Sequence, residues 1–283
     1  MDQAENLRNL VQKTSTRARV LTVTSGKGGV GKTNVAVNLA ILLSQRGFKV
    51  ILVDTDIGLA NADILLSVQP RYHLGHVLSG EIPVLEALTP TPAGVLLLSG
   101  CTGVRHLSDL DTAEREFLTE TFQQLAAYAD FVIVDTQAGI SENVVQFAAT
   151  SDEILVVTIP EPTAMTDGYA VIKAVARKKG VGRIRLIVNQ CQNAAEASGA
   201  SQRIRAVSKR FLGIEVDCLG EILVDPKVRQ SVRQKAPFVI QYPRSAASKC
   251  LRDIADKVQV TKRLGSRPGF LRRFAQTLSS VLG

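Results

Sequence analysis

Cysteine and histidine are scarce in this sequence, and neither is spaced like a set of metal ligands. The 283 residues include four cysteines and three histidines, and the cysteines (Cys101, Cys191, Cys218 and Cys250) form no C-x-x-C pair. Structural metal sites and disulfide frameworks depend on such closely spaced or paired residues. We therefore expect four ordinary buried thiols in a reducing compartment.

Long apolar runs are also missing. No stretch approaches the roughly 18 apolar residues of a transmembrane helix, and the first ten residues, MDQAENLRNL, carry acids where a signal peptide needs an apolar centre. A cytoplasmic protein is expected. Acidic residues are absent after Asp256, and the formal charge of the chain is +8. This charge favours an anionic partner, nucleic acid or acidic lipid, without choosing between them.

Apolar residues alternate between strand-like and helix-like segments. Short aliphatic runs occur at 19–25, 48–56, 95–100, 130–139, 152–160, 182–190 and 216–223. Segments 33–47 and 112–130 carry apolar residues at helical spacing instead. Continuous apolar strands are typical of a parallel sheet that is buried on both faces. The sequence predicts an α/β fold, a doubly wound and mostly parallel sheet flanked by helices, with ligands at the carboxyl ends of its strands.

A glycine-rich loop, TSGKGGVGKTN, follows the first predicted strand. It contains the motif G-x-x-x-x-G-K-[ST] as Gly26, Gly31, Lys32 and Thr33. Glycines let the backbone N–H groups curl around phosphate oxygens, Lys32 would neutralise phosphate charge, and the Thr33 hydroxyl would ligate Mg²⁺. The next helix presents its positive end to the same phosphates. The predicted nucleotide-binding residues of the loop are Gly26, Lys27, Gly28, Gly29, Val30, Gly31, Lys32, Thr33 and Asn34.

The second lysine of the loop, Lys27, completes the pattern K-G-G-x-G-K-T. With this deviant Walker A signature, the sequence resembles the MinD/ParA family of dimerising ATPases. The resemblance implies a P-loop NTPase fold, binding of ATP or ADP with Mg²⁺, and slow, dimer-dependent hydrolysis. It also implies that Lys27 reaches the phosphates held by the partner subunit, where added positive charge would act like an arginine finger. A solvated loop lysine is the alternative interpretation.

Three aspartates follow buried strands. Asp54 ends the second strand beside the loop, so its charge needs a lysine or Mg²⁺ as partner. Asp56 resembles the switch I residue that helps to position the attacking water, and a turn-forming aspartate is the alternative. Asp135, at the end of the fourth strand, resembles the Walker B aspartate near Mg²⁺, and a switch II segment follows it.

Gln137 stands in that switch II segment where relatives usually hold a small residue or proline. A glutamine there could order or block water, so a nucleotide-gated binding module with negligible turnover stays an alternative function.

The adenine base is expected between two further segments. Asn189 in LIVNQ resembles the asparagine with which the family contacts adenine. Asp225 and Pro226 in DPKVRQS resemble the proline-containing loop that packs on the base.

Related iron proteins use cysteines, and no cysteine follows Asp135 in switch II, which argues against electron transfer. A ParA-like, DNA-binding partition ATPase is the alternative from another functional class, because the net charge permits DNA binding.

The two ends of the chain lie outside the strand–helix pattern, which divides it into 1–18, an ATPase domain at 19–261, and 262–283. The last segment predicts a basic amphipathic helix that binds an anionic membrane surface. Two copies on one dimer would bind by avidity, which makes attachment depend on ATP. Packing of this helix on the protein's own surface is the alternative. Its apolar stripe consists of Phe270, Leu271, Phe274, Leu278, Val281 and Leu282.

The N-terminal segment DQAENLR (2–8) resembles the start of FlhG-type proteins, also called FleN, and this resemblance covers nearly the whole chain. It implies a protein on the inner face of the cytoplasmic membrane that regulates flagellar number or placement. It further implies two partners, an FlhF-like GTPase that is stimulated through Gln3 and a flagellar master transcription activator. A frayed capping helix is the alternative for residues 1–12.

Overall fold

The computed structural model describes residues 18–55, 61–100, 112–178 and 180–260. Within these ranges the chain alternates strands and helices along most of its length. The strands are β1 (Arg19–Ser25), β2 (Val50–Asp54), β3 (Thr89–Pro90), β4 (Leu96–Leu98), β5 (Phe131–Ala138), β6 (Glu153–Thr158), β7 (Arg183–Cys191) and β8 (Asp217–Leu223). The helices are α1 (Lys32–Gln45), α2 (Ala62–Leu66), α3 (Leu74–Leu78), α4 (Thr112–Tyr128), α5 (Glu142–Thr150), α6 (Pro162–Ala176), α7 (Ala194–Leu212), α8 (Pro226–Arg233), α9 (Phe238–Gln241) and α10 (Ala246–Val260).

All eight strands form one sheet in the order β3-β4-β2-β5-β1-β6-β7-β8. The neighbours are parallel except for β3, which runs antiparallel to β4. From β1, near the centre of the sheet, the described chain continues to both edges, so the sheet is doubly wound, as predicted. β1 lies between β5 and β6, and the carboxyl ends of these three strands meet where ligands bind in open α/β sheets.

Both faces of the sheet are covered, and successive residues of one strand belong to different layers. In β1, Leu21 and Val23 pack in a cluster with α1, α9 and α10, whereas Val20 packs in a cluster with α4. Helices α6 and α7 cover the β6–β7 part of this second face. The continuous apolar runs of the sequence therefore have the predicted cause, which is burial on both sides.

One strand, β3, is not predicted by the sequence. It pairs only two residues, Thr89 with Leu97 and Pro90 with Leu96. Two residues are too few to show a strand period, and a proline is tolerated here because β3 lies at the edge of the sheet.

A buried ionic cluster joins the two ends of the described core. Glu153 accepts hydrogen bonds from both Arg19 and Arg185, the latter at 3.0 Å, and all three side chains are buried. Arg19 Nη1 also donates to the carbonyl of Val258 in the last turn of α10, at 2.7 Å. The described chain thus begins and ends near the amino-terminal edge of the sheet, opposite to the glycine-rich loop.

The expectation of uniformly buried cysteines is wrong for one of them. Cys191 is buried at the end of β7 and Cys250 is partly buried, but Cys218 is exposed. Cys218 lies near the start of β8, which is an edge strand with a neighbour on one side only. Cys101 lies outside the described residues.

Several predicted features also lie outside the described residues. These are the N-terminal helix with Gln3, the switch I residue Asp56, and the C-terminal helix with Phe270, Leu271, Phe274, Leu278, Val281 and Leu282. In the described part of the chain, no helix combines the length and the apolar character needed to cross a bilayer.

Candidate nucleotide-binding site

The glycine-rich loop connects β1 to α1 and has the backbone shape of an anion-binding nest. Gly29 and Gly31 have φ values of +80° and +89°, which lie in the left-handed region that favours glycine. Lys32 is the first residue of α1, so the loop ends at a helix N-terminus. Left-handed residues at alternate positions turn successive N–H groups toward a common centre, and this arrangement suits a phosphate.

Gly26 is required for a different reason, which is packing. A Cβ atom built on Gly26 would lie 2.1 Å from the backbone carbonyl oxygen of Asp167 in α6. A Cβ atom on Gly28 would meet nothing within 4 Å. The loop therefore lies directly on α6 at its start and is open in its middle.

Two cavities flank the loop, and Gly29, Gly31 and Asn34 line both of them. The smaller cavity, about 350 Å³, is also lined by Lys27, Gly28, Lys32 and Thr33, together with Asn61 and Ile64 near α2. The larger, about 630 Å³, is also lined by Asn189, Asp225, Ile222, Val228 and Phe238. The smaller cavity has the cationic loop that phosphates need, and the larger has the apolar walls that suit a base.

The loop lysine Lys32 forms a buried ion pair with Asp135. Its Nζ lies 2.6 Å from Asp135 Oδ1 and 3.4 Å from Thr33 Oγ1, and the pair is almost fully buried. Asp54 lies beside Asp135 in the β2–β5 register, is equally buried, and accepts the N–H of Ala62 at the start of α2. Two adjacent carboxylates away from water need cations close by, and Lys32 supplies one.

Lys27 is in a different environment from Lys32. Its side chain is 43% exposed, and its Nζ lies 3.3 Å from Glu161 Oε2, which is itself 58% exposed. Glu161 occupies the N-cap position of α6 but its side chain makes no capping hydrogen bond there. A solvent-exposed pair of this kind contributes roughly 0–1 kcal/mol. Lys27 is therefore held only weakly within its own subunit.

The segments that follow β2 and β5 are fastened to the strands next to the loop. Thr55 donates to the carbonyl of Asp135 through both its N–H, at 2.8 Å, and its hydroxyl, at 2.9 Å. Gly139, with φ +105°, donates its N–H to the carbonyl of Ser25 at 2.7 Å. Gln137 is partly exposed at the end of β5. Both predicted switch segments therefore start from the same small group of strand ends.

The residues that are predicted to contact adenine lie near the larger cavity and the start of α8. Asn189 is 9% exposed, lines the larger cavity, and donates from Nδ2 to the carbonyl of Val30 at 2.8 Å. Pro226 is the first residue of α8. Contact of these residues with a base stays a prediction.

Asp225 caps two helices at once. It accepts the N–H of Lys227 in α8 at 2.9 Å and that of Ala247 in α10 at 3.1 Å. Burial alone would raise the pKa of Asp225, but hydrogen bonds from the backbone N–H groups of Lys227 and Ala247 outweigh burial and lower it.

Sequence reasoning missed several residues of the site. Glu161 and Gln190 lie at the carboxyl ends of β6 and β7. A prediction of the strand order would have identified them, because ligands bind at these strand ends. Ile64 and Val232 lie on α2 and α8, and no sequence signal distinguishes them from other apolar residues. The missed lining residues include Asn61, Ile64, Glu161, Gln190, Gln192, Glu196, Arg229, Val232 and Arg233.

The predicted magnesium ligands fit an ion that shares its coordination with a nucleotide. Across the described ranges, no group of three or more His, Cys, Asp or Glu side chains could hold a metal ion by itself. The Thr33 side chain lines the smaller cavity, and the carboxylates of Asp54 and Asp135 lie at adjacent strand ends nearby. Mg²⁺ commonly takes one or two protein ligands and completes its octahedron with water and phosphate oxygens.

Comparisons with known proteins agree with this geometry. A family model described as "ParA: NUBPL iron-transfer P-loop NTPase" matches residues 16–259. Antiactivator FleN of Pseudomonas aeruginosa is 35% identical over 260 residues, which cover 92% of this chain and 93% of FleN. Flagellum site-determining protein YlxH of Helicobacter pylori is 34% identical over 220 residues, which cover 77% of this chain and 74% of YlxH.

Solved structures of the same fold include the septum site-determining protein MinD from Pyrococcus horikoshii in complex with Mg-ADP. It matches with a TM-score of 0.71 and 26% identity, covering 86% of this chain and 96% of that chain. The similarity therefore extends over almost the whole described core.

Proposed function

The chain belongs to the MinD/ParA family of P-loop ATPases, and on that premise we propose that it is an ATP-dependent dimerising switch that regulates flagella. It binds nucleotide and hydrolyses ATP, as the family does. The observation that carries the proposal is the position of Lys27, the signature lysine, which lines the smaller cavity. Its half-exposed side chain and weak ion pair suit a group that acts in another subunit. The relatives FleN and YlxH support the flagellar role.

A second copy of the chain would cover the smaller cavity. Two apolar side chains that line this cavity are exposed: Ile64 on α2 is 47% exposed and Val232 on α8 is 41% exposed. Exposed apolar groups around a functional cavity are typical of an association surface. Lys27 lines the same cavity, so face-to-face association would bring the lysine and these apolar groups to the interface together.

The catalytic residues act by placing charge around the transferred phosphoryl group. We assign Lys32 to the phosphate oxygens, which requires it to leave Asp135, 2.6 Å away. Thr33, Asp54 and Asp135 would hold Mg²⁺, which when bound neutralises phosphate charge. Lys27 of one subunit would complete the site of the other. Water attacks the γ-phosphorus and the bond to the β–γ bridging oxygen breaks, giving ADP and phosphate.

Asp56 is proposed to orient the attacking water. Its neighbour Thr55 is fixed to the backbone of Asp135, so the described part of this segment begins next to the site. On this proposal, Asp56→Ala binds ATP but hydrolyses it slowly, and the ATP dimer persists. A variant that stays monomeric with ATP in gel filtration contradicts the role.

The terminal segments are proposed to carry the output of the switch, with 1–18 as a partner-binding segment, 19–261 as the ATPase domain and 262–283 as the membrane anchor. Val260, the last residue of α10, is 78% exposed and lies just before the proposed anchor in the sequence. The stripe of Phe270, Phe274 and Leu278 would enter the lipid surface while the neighbouring arginines contact anionic headgroups.

Binding to lipid and to DNA, each measured with ATP and with ADP, tests this output. We expect co-sedimentation with anionic liposomes that requires ATP and is lost on deletion of residues 262–283, while nucleotide affinity is kept. ATP-dependent binding to DNA with no binding to liposomes would instead support a partition ATPase.

The proposed partners are an FlhF-like GTPase and a flagellar transcription activator, and the name "antiactivator" of FleN supports the second. Gln3 is assigned to the GTPase. Gln3→Ala should lose stimulation of GTP hydrolysis and keep its own ATP turnover, and equal stimulation by the variant would refute the assignment.

A further inference from the structure

The carboxyl end of β7 holds the glycine-rich loop in its phosphate-binding shape. We propose that Asn189 and Gln190 are positioning residues for the phosphate nest, because they fix the orientation of its peptide groups. This inference rests on the proposed nucleotide site and deepens it, since it gives Asn189 a role toward the phosphates rather than only toward the base.

Two consecutive carbonyl groups of the loop accept hydrogen bonds from this strand end. Asn189 Nδ2 donates to the carbonyl of Val30 at 2.8 Å, and Gln190 Nε2 donates to the carbonyl of Gly29 at 3.4 Å. Earlier in the loop, the hydroxyl of Ser25 donates to the carbonyl of Lys27 at 3.1 Å. Donors from two strand ends thus hold loop carbonyls at three positions.

These bonds matter because of the geometry of the peptide unit. In a planar trans peptide, the C=O of one residue and the N–H of the next point in opposite directions. A donor that holds the Val30 carbonyl therefore aims the N–H of Gly31 away from β7, and the bond to the Gly29 carbonyl does the same for the N–H of Val30. N–H groups that already point toward the anion bind it without the free-energy cost of reorienting.

Asn189 itself is firmly oriented. Its Oδ1 accepts the N–H of Gln190 at 2.9 Å, and its side chain is buried. A flipped amide would place its oxygen against the Val30 carbonyl and its NH₂ group against the Gln190 N–H, so both contacts would become repulsive. Gln190 has φ +56°, a left-handed conformation that is uncommon outside glycine. The strand therefore ends in a shape that serves these hydrogen bonds.

The loop and the asparagine fit each other sterically as well. A Cβ atom on Gly31 would lie 2.4 Å from Asn189 Nδ2. Gly31 is thus required both by its φ of +89° and by the side chain that occupies the adjacent space. Asn189 lines the larger cavity, whereas Gly31 lines both cavities, so this contact lies at the boundary between them.

Comparison of ADP with AMP separates a phosphate role from a base role. Both carry adenine, but only ADP carries the β-phosphate that the nest would hold. Loss of the donor in Asn189→Ala should weaken ADP binding about tenfold, from a lost hydrogen bond and a less ordered loop, and leave AMP binding within twofold of the wild type. Displacement of a fluorescent nucleotide measures both affinities.

Either of two results overturns the proposal. Equal weakening of ADP and AMP would make Asn189 a base contact only, and no weakening of either would mean that the loop keeps its shape without it. Wild-type protein that binds no ATP would contradict the proposed function instead, which is a separate outcome.

Two further variants sharpen the test. Asn189→Asp keeps the size of the side chain but places an acceptor against the Val30 carbonyl, so its ADP affinity should fall below that of Asn189→Ala. Gln202→Ala, which removes an exposed side chain on α7 bonded to Ser198, is the matched control and should bind both nucleotides normally.

A measurement without nucleotide completes the design. Hydrogen–deuterium exchange of the peptide that contains the loop should be at least fivefold faster in Asn189→Ala than in the wild type. Unchanged exchange together with unchanged ADP affinity would refute the positioning role even for a correctly folded variant.

Discussion

At the scale of single residues, the pair of Lys32 and Asp135 connects nucleotide binding to stability. The ammonium lies 2.6 Å from a fully buried carboxylate. Removal of one partner from a buried pair typically costs about 3–5 kcal/mol, because the other charge stays buried. Lys32→Gln should therefore lose nucleotide binding and also a large part of the free energy of unfolding, measured by urea denaturation.

The double variant Lys32→Gln/Asp135→Asn is the matched control for this effect. It should recover much of the lost stability, because neither charge remains, but it should not recover nucleotide binding. The single variant Asp135→Asn completes the comparison. If the double variant lost as much free energy of unfolding as the two single variants together, the two residues would not be coupled.

The identity of these residues was predictable from the sequence, but their pairing was not. The motif around Lys32 and the strand that ends in Asp135 each carry a strong local signal. That Asp54 and Asp135 lie side by side depends on β2 and β5 being neighbours, and strand order is a property of long-range packing. For the same reason, the contact between Asn189 and Val30 had no local signal.

At the scale of elements, the close approach of the loop to α6 makes a sharp prediction. Gly26→Ala places a methyl group 2.1 Å from the Asp167 carbonyl oxygen, so the loop or the helix must move. We expect a loss of about 1–3 kcal/mol in the free energy of unfolding. Gly28→Ala, in open space, should stay within about 0.5 kcal/mol of the wild type. Equal stabilities of the two variants in urea denaturation would contradict the close contact.

Asp225 joins α8 to α10, and its effect on stability should depend on pH. Its pKa is lowered because hydrogen bonds from backbone N–H groups outweigh burial. A lowered carboxyl pKa stabilises the folded state above the pKa of the unfolded chain, about 3.9, and this contribution is lost as the pH falls through the folded value. Asp225→Asn, which keeps an acceptor oxygen, should therefore be less stable than the wild type at pH 7.

The difference in the free energy of unfolding between wild type and Asp225→Asn should be about 1–2 kcal/mol, because the amide keeps an acceptor for only one of the two N–H groups. It should shrink as the pH of the denaturation experiment falls below about 3.9 and through the lowered pKa of Asp225 in the folded state. A difference that is independent of pH would mean that the carboxylate charge does not contribute to the cap.

The elements that the sequence predicts well are those with a period or a motif. The strands that carry the loop, Asp54 and Asp135 each contain four or more apolar or β-branched residues, and burial on both faces explains their composition. β3 was missed because two residues have no period. The exposure of Cys218 was missed because it depends on β8 lying at the edge of the sheet.

At the scale of the whole molecule, the sheet separates two kinds of surface. The nucleotide site lies at the carboxyl ends of the strands, and the described chain begins and ends near the amino ends, where Arg19 contacts Val258. The proposed partner-binding and membrane-binding segments are therefore joined to the core far from the phosphates. Communication between the two ends would then depend on a change in assembly, since two subunits bring two pairs of segments together.

Solution mass in the presence of nucleotide tests this account most directly. Analytical ultracentrifugation with ATP and Mg²⁺ should show the mass of two chains for the wild type, and the mass of one chain with ADP. Lys27→Ala should remain a monomer with ATP and should keep wild-type thermal stability, because its ion pair with Glu161 is exposed. Lys178→Ala, which removes a comparable surface pair with Glu142, is the control and should still dimerise. A wild-type protein that stays monomeric with ATP, or a Lys27→Ala variant that dimerises normally, would contradict the central claim.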